Sequence, residues 1–177
     1  MSCNGTFQNV NGKYKFFSFD GLTSSFDFSE GNIKVQTFKY RPRFSQQELL
    51  NLPNRFIADG RDLDSQYLEK FDPPLFYDVT WLQEIAGRIN EQTVYLGNTT
   101  RWQGLKNLAH FAKLKTSPFI CEFEGMPQTF PVLPGDIVTV THSMSNWVNK
   151  QFLTLEATDK SIDSGADERI FKLLEWE

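Results

Sequence analysis

Glu122 and Glu124, two apart in the stretch FICEFEG, are the nearest thing in this chain to a paired acid and base. On a strand, residues i and i+2 project to one face, and glycosidase carboxylates stand roughly 5–10 Å apart. Same-face glutamates reach that spacing in many solvated sheets, and a solvated face is the reading favoured here. His142 beside Ser143 offers an imidazole and a hydroxyl, but no GxSxG elbow or other strained nucleophile turn surrounds them. His110 has neither an HExxH partner nor a second histidine at metal-ligating spacing, so it reads as a surface or boundary histidine. Cys121 lacks a CxxC neighbour, which removes the zinc and thioredoxin readings. Asp159, Asp163, Asp167 and Glu168 gather oxygen ligands in one loop, yet without the glycine and glutamate positions of an EF-hand. The expectation is a chain without catalytic residues, metal ligands or a cofactor. It is not an enzyme on this reading.

One tryptophan invites a binding role instead. Trp147 sits in the polar loop SMSNWVNK, where an indole can anchor a partner, stack on a sugar or cover the end of a sheet. It is the candidate partner contact. Trp102 falls on a helical stripe and is expected in the core.

The elements that must position these residues are mostly strands. Leu133-Pro134-Gly135-Asp136 has proline and glycine where a type II turn needs them. Ile137 to Thr141 then alternates, with Val138 and Val140 on one face. Gln151 to Ala157 alternates again, with Leu153, Leu155 and Ala157 expected opposite Phe152, Thr154 and Glu156. Asn11-Gly12 marks a hairpin within Phe7–Phe19, and Gly21–Ser29 reads as loop. Strands are expected at Asn32–Tyr40 (anchored by Ile33, Val35 and Phe38), Asn54–Gly60, around LFYDVTW, at Phe119–Phe123 and at Glu168–Trp176. The segment between Gly60 and the prolines reads as surface with a helical turn, and Thr158–Glu168 as a long hairpin connection.

Helices are fewer. Ser45 and Glu48 have capping-box spacing for a short helix near 46–52, which Pro53 stops. Thr99 or Thr100 can cap a second helix near 100–115, with Trp102, Leu105, Leu108, Ala109 and Ala112 as its apolar stripe. Trp81–Thr93 supports two readings. One is a helix capped by Thr80 and Gln83; the other is a hairpin turning at Gly87-Arg88. Strand–helix–strand units do not recur at regular spacing, so a doubly wound sheet is not expected. The predicted class is α+β and β-rich, mainly antiparallel, built as a barrel-like or sandwich domain. The expected organisation is one unit over 1–177, divisible into two interleaved β subdomains at about 1–98 and 99–177.

Bulk properties set the outer bounds. At 177 residues the chain can bury a sizeable core without metal or disulfide. Its 17 phenylalanines argue for a packed aromatic interior and against disorder. With 22 acidic and 18 basic residues, a net charge of −4, it lacks the basic excess of a dedicated nucleic-acid binder. The apolar runs are far shorter than the ~20 residues that cross a bilayer, and MSCNGTFQN lacks the features of a signal peptide. Cys3 and Cys121 are expected as free thiols.

In order, the helix TTRWQGLKNLAHFAKLK, the strand FICEFEG, the turn-strand LPGDIVTVTH, the Trp147 loop and the strand NKQFLTLEATDK form a recognisable series. It resembles the central tail-hub (tail-tip, baseplate-hub) proteins of long-tailed bacteriophages and gene-transfer particles. LPNRFIADGRDLDSQY and NGKYKFFSF are similar to the strand-and-loop and the hairpin of that family, so the resemblance spans about 7–177. Trp81–Thr93 departs from it, and the family's hubs are usually longer, which leaves a fragment or a split subunit as expectations. The resemblance implies a virion structural protein in the tail, assembled in the bacterial host cytoplasm. It implies a homotrimeric ring joined to distal-tail and tape-measure proteins, through which DNA passes without specific binding, and no membrane insertion. The rival reading is a carbohydrate-binding β module using Trp147 and Tyr95.

Overall fold

The computed structural model describes residues 24–65, 70–160 and 168–176, together with the backbone pairing of 5–10 and 13–18. In chain order the elements are β1 (Gly5–Val10), β2 (Lys13–Ser18), β3 (Phe26–Phe28), β4 (Lys39–Pro42), α1 (Gln46–Asn51), β5 (Arg55–Asp62), β6 (Phe76–Asp78), α2 (Thr80–Ala86), β7 (Glu91–Thr99), α3 (Arg101–Thr116), β8 (Phe119–Gly125), β9 (Ile137–His142), β10 (Trp147–Asp159) and β11 (Arg169–Glu175). The fold is α+β, β-rich and dominated by antiparallel pairs. Two compact units share the chain: Phe44–Thr116, and Gly5–Arg43 with Ser117–Glu177.

The second of these units holds a six-stranded sheet in the order β3-β9-β10-β11-β8-β4, with β3 parallel to β9. Neighbouring strands lie about 4.8 Å apart, so β3 and β8 would be about 19 Å apart in a flat sheet. Phe28 on β3 nevertheless meets Phe123 on β8 with ring centroids 4.9 Å apart, and Ile33 bridges Gly125. The sheet therefore curls into a barrel-like wall. Period-two alternation turns Phe123, Val138, Val140, Phe152, Phe171 and Leu173 into its interior. Gly125 permits the closure, because a Cβ there would stand 2.4 Å from Thr129 Oγ1 and 2.6 Å from the Phe171 ring.

The Leu133–Asp136 turn forms as its residues dictate. Gly135 has φ +91°, the Asp136 N–H donates to the Leu133 carbonyl at 3.1 Å, and the Asp136 carboxylate accepts the Leu133 N–H at 2.9 Å.

Three expectations are corrected in this unit. Phe26–Phe28, expected as loop, is an edge strand. Asn32–Tyr40 is not one strand: after the Ile33 bridge, Val35–Thr37 tightens into a 3-10 turn before β4 begins. The Thr37 hydroxyl causes the break, since it accepts the Glu124 N–H at 2.9 Å where a strand would present a carbonyl. It also donates to the Lys34 carbonyl at 2.8 Å. Ile33 is core and Phe38 packs against it, while Val35 is exposed. In β10 the register shifts between Thr154 and Glu156. That bulge at Leu155 reverses the alternation, so Ala157 packs with the core beside Phe152 and not opposite it.

β1 and β2 pair with Val10 opposite Lys13, as a two-residue connection requires. The Asn11-Gly12 turn itself lies outside the described residues, as do 161–167 of the long hairpin connection.

In the unit Phe44–Thr116, β5 is central, antiparallel to β6 and parallel to β7. α1 carries the expected capping box: the Glu48 N–H donates to Ser45 Oγ at 3.3 Å and the Ser45 N–H donates to Glu48 Oε2 at 2.7 Å. Leu52 is already extended before Pro53. Leu63–Ser65 makes the expected helical turn. Between Trp81 and Thr93 the helix prevails as α2, and Gly87 is its left-handed C-cap with φ 64°. Its N-cap is Val79 without a side-chain cap. Thr80 lies inside the helix, and Gln83 is spent on the Asn54 carbonyl and on Asp78.

α3 spans the expected residues and is capped by Thr100, whose Oγ1 accepts the Gln103 N–H at 3.3 Å. Its buried row is Gly104, Leu108, Ala112 and Thr116, facing a core of Phe56, Phe71, Leu75 and Leu82. The expected stripe is therefore rotated. Trp102, predicted as core, is 63% exposed and Leu105 is 40% exposed. The helix packs on this row because Gly104 brings its backbone close to Leu75 and Phe71.

Candidate partner-contact site at Trp147

β9 runs to His142, a 3-10 turn covers Ser143–Ser145, and β10 starts at Trp147 opposite His142. Asn146 and Asn149 supply the reversal with φ of 52° and 53°, the left-handed region that asparagine tolerates better than most residues. Asn149 is held by Thr141, whose Oγ1 accepts its N–H at 3.1 Å and donates to its Oδ1 at 3.2 Å. Val148 lies in the bulge between Trp147 and Lys150 and Met144 in the 3-10 turn before it, and they are 79% and 83% exposed.

Trp147 is half-buried in a ladder of rings. Its indole stands edge-on to Tyr40 at 4.6 Å and Phe38 at 5.8 Å, and tilted against Phe152 at 5.3 Å. Lys150 Nζ lies 5.1 Å from its centroid and pairs with Glu175 at 2.6 Å. The Tyr40 hydroxyl donates to the same carboxylate at 2.7 Å. The remaining edge of the indole borders an open cleft of about 560 Å³ lined also by Ser29, Glu30, Thr141, His142 and Val148.

His142 is buried, stacked on Phe38 at 4.0 Å, and neither ring nitrogen finds a hydrogen-bond partner among the described residues. Ser143 does not pair with it. The Ser143 hydroxyl and its N–H both donate to Glu30 Oε1, the latter at 2.9 Å. Those bonds, the hydroxyl's first, hold the Glu30 carboxyl below its ordinary range, with a smaller contribution from His142. Residues 113 apart in the chain thus meet at the cleft. Glu30 carried no sequence signal of its own.

The other candidates are dispersed. Glu122 pairs with Arg41 at 2.7 Å and Glu124 with Lys160 at 2.9 Å, so each is engaged. Burial, and then Glu122, pushes the Cys121 thiol up to about 12, which keeps it protonated. His110 is half-buried on α3. Asp159 pairs with Arg169 at 2.5 Å and Glu168 with Lys34 and Lys160; Asp163 and Asp167 lie outside the described residues. Among the described residues no cluster of three or more His, Cys, Asp or Glu could hold a metal. No helix among them is long and apolar enough to cross a membrane. Tyr95 is 79% exposed on β7.

No family model matches this sequence, and no curated protein does. Solved structures do. A chain in the virion of a native gene transfer agent particle superposes with TM-score 0.64 at 11% identity, over 92% of this chain and 34% of that one. The two share a fold. Prophage MuSo2 43 kDa tail protein from Shewanella oneidensis matches at TM-score 0.49 and 13% identity, over 97% of this chain and 50% of that one. The tail protein from Neisseria meningitidis MC58 matches at 0.47 and 12%, over 93% and 48%. The chain thus spans about a third to a half of the length of these structures.

Proposed function

We propose that this chain is a structural subunit of a phage-type tail: a hub or tip protein that closes the end of the tail tube. It assembles as a homotrimeric ring, joins distal-tail and tape-measure proteins, and lets DNA pass without specific binding. The virion tail is its location, after assembly in the bacterial host cytoplasm. The observation that carries this reading is the fold shared with a gene-transfer-agent virion chain over 92% of the length. The ordered motifs of the helix, the LPGD turn-strand and the Trp147 loop support it. So does the state of the candidate acid pair, since Glu122 and Glu124 are each neutralised by a cation. A barrel-like wall suits a ring because its curled sheet leaves few open edges. On this reading the Trp147 cleft and the exposed Met144 and Val148 are contacts for a neighbouring tail protein.

Immunolabelling of purified particles, with the solution mass of the chain over a concentration series, tests the proposal. Label at the tail end and a trimeric mass are expected. A strict monomer absent from particles overturns it. Binding on a glycan array that Trp147→Ala abolishes would favour a carbohydrate module instead.

A further inference from the structure

Helix α3 carries two apolar rows, and its own unit buries one. The buried row is locked at Gly104, where a Cβ would come within 2.9 Å of Leu75 Cδ1. With that row packed closely inward, Trp102 on the other row is 63% and Leu105 40% exposed. Lys106 Nζ lies 3.8 Å from the centroid of the indole and holds it in place. A tryptophan fixed on a rigid helix offers large apolar area with little conformational entropy left to lose, which is why such side chains dominate interfaces.

The helix is also opposite in charge to the rest of the chain. Between Arg101 and Thr116 it holds Arg101, Lys106, Lys113 and Lys115 and no acidic residue. Removing those 4 from the chain's 18 basic residues leaves 14 against 22 acidic ones, a net charge of −8 elsewhere.

We propose that the outward face of α3, centred on Trp102 and Leu105 and rimmed by Arg101 and Lys106, docks on a second copy of this chain, which outside α3 carries a net negative charge. The inference rests on the ring assembly proposed above and names one surface that builds it. A basic, aromatic patch meeting a different surface of the next, net-acidic copy is a heterologous contact, the kind that closes into rings. Opposite charges set the orientation, and the apolar centre supplies affinity.

Sedimentation equilibrium of the full chain at low salt and at about 0.5 M salt tests this, because salt screens the charge term. Wild type is expected to self-associate, and more weakly at high salt. Trp102→Ala and Leu105→Ser should each weaken association by about tenfold or more, with urea midpoints showing both variants folded. Tyr95→Ser, which removes another exposed aromatic of the same unit, should leave association unchanged. If wild type assembles and both α3 variants assemble equally well, this surface is wrong while the ring reading stands. A strictly monomeric wild type overturns both. Binding to duplex DNA or anionic vesicles that Trp102→Ala abolishes, without self-association, gives the face to another occupant and also overturns the proposal.

Discussion

The carboxamide oxygen of Asn54 accepts the backbone N–H of Asn90 at 2.8 Å, while the Asn90 side chain donates back to the carbonyls of Asn51 and Leu52 at 2.9 and 3.1 Å. The two asparagines clamp the starts of β5 and β7, the parallel pair that antiparallel turns cannot set in register. Asn54 is fully buried and its amide also donates to the Arg88 carbonyl at 2.8 Å.

Asn54→Ala leaves the Asn90 N–H and the Arg88 carbonyl without their partner. An unsatisfied buried group costs about 1–3 kcal/mol, and because Arg88 is exposed and Asn90 half-buried a loss of about 1–2 kcal/mol is expected in urea unfolding. Asn51→Ala, at an exposed position, should stay within about 0.5 kcal/mol. Equal midpoints for Asn54→Ala and wild type would remove the clamp from the account.

Asp78 links stability to pH. Hydrogen bonds from Arg55, at 2.7 and 3.1 Å, are the main cause that holds its carboxyl below the ordinary value, with Gln83 adding to them. A carboxylate with a depressed folded value contributes stability that is present above its unfolded value, about 3.9. That contribution is lost as pH falls through the lower folded value. Thermal midpoints of wild type and Asp78→Asn should therefore differ at pH 7 and converge in strong acid. Parallel curves over that range would contradict the linkage.

Gly125→Ala tests the closure of the barrel-like wall. Its added methyl meets Thr129 Oγ1 and the buried Phe171 ring, and the expected cost is about 1–3 kcal/mol, as for overpacked cores. A variant as stable as wild type would show that this corner has slack.

The tip of the β9–β10 hairpin should separate packing from contact. Trp147→Ala removes ring contacts with Phe38, Tyr40 and Phe152 and is expected to cost about 2 kcal/mol, less than a fully buried tryptophan. Met144→Ser and Val148→Ser touch exposed side chains and should change stability by less than about 0.5 kcal/mol. If the two exposed changes unfold the chain as Trp147→Ala does, the tip is part of the core and not a free contact surface.

The amino-acid sequence by itself determined what short-range physics controls. Pro134-Gly135 made its turn, Ser45 and Glu48 capped α1, Pro53 ended it, and Val138 and Val140 took the inward face of β9, because each depends on neighbours within a few residues. Tertiary structure decided the rest. Which face of α3 is buried turned on Gly104 fitting against Leu75, a preference that hydrophobic periodicity cannot count because glycine has no side chain to score. The bulge at Leu155 and the hydroxyl of Thr37 broke alternations that looked regular, since both answer to hydrogen bonds made by partner strands. At the Trp147 cleft Glu30 reaches Ser143 across 113 residues, and Phe38 stacks on His142 beneath it. No local signal encodes a meeting of that kind. It follows from how the sheet curls to bury its phenylalanines.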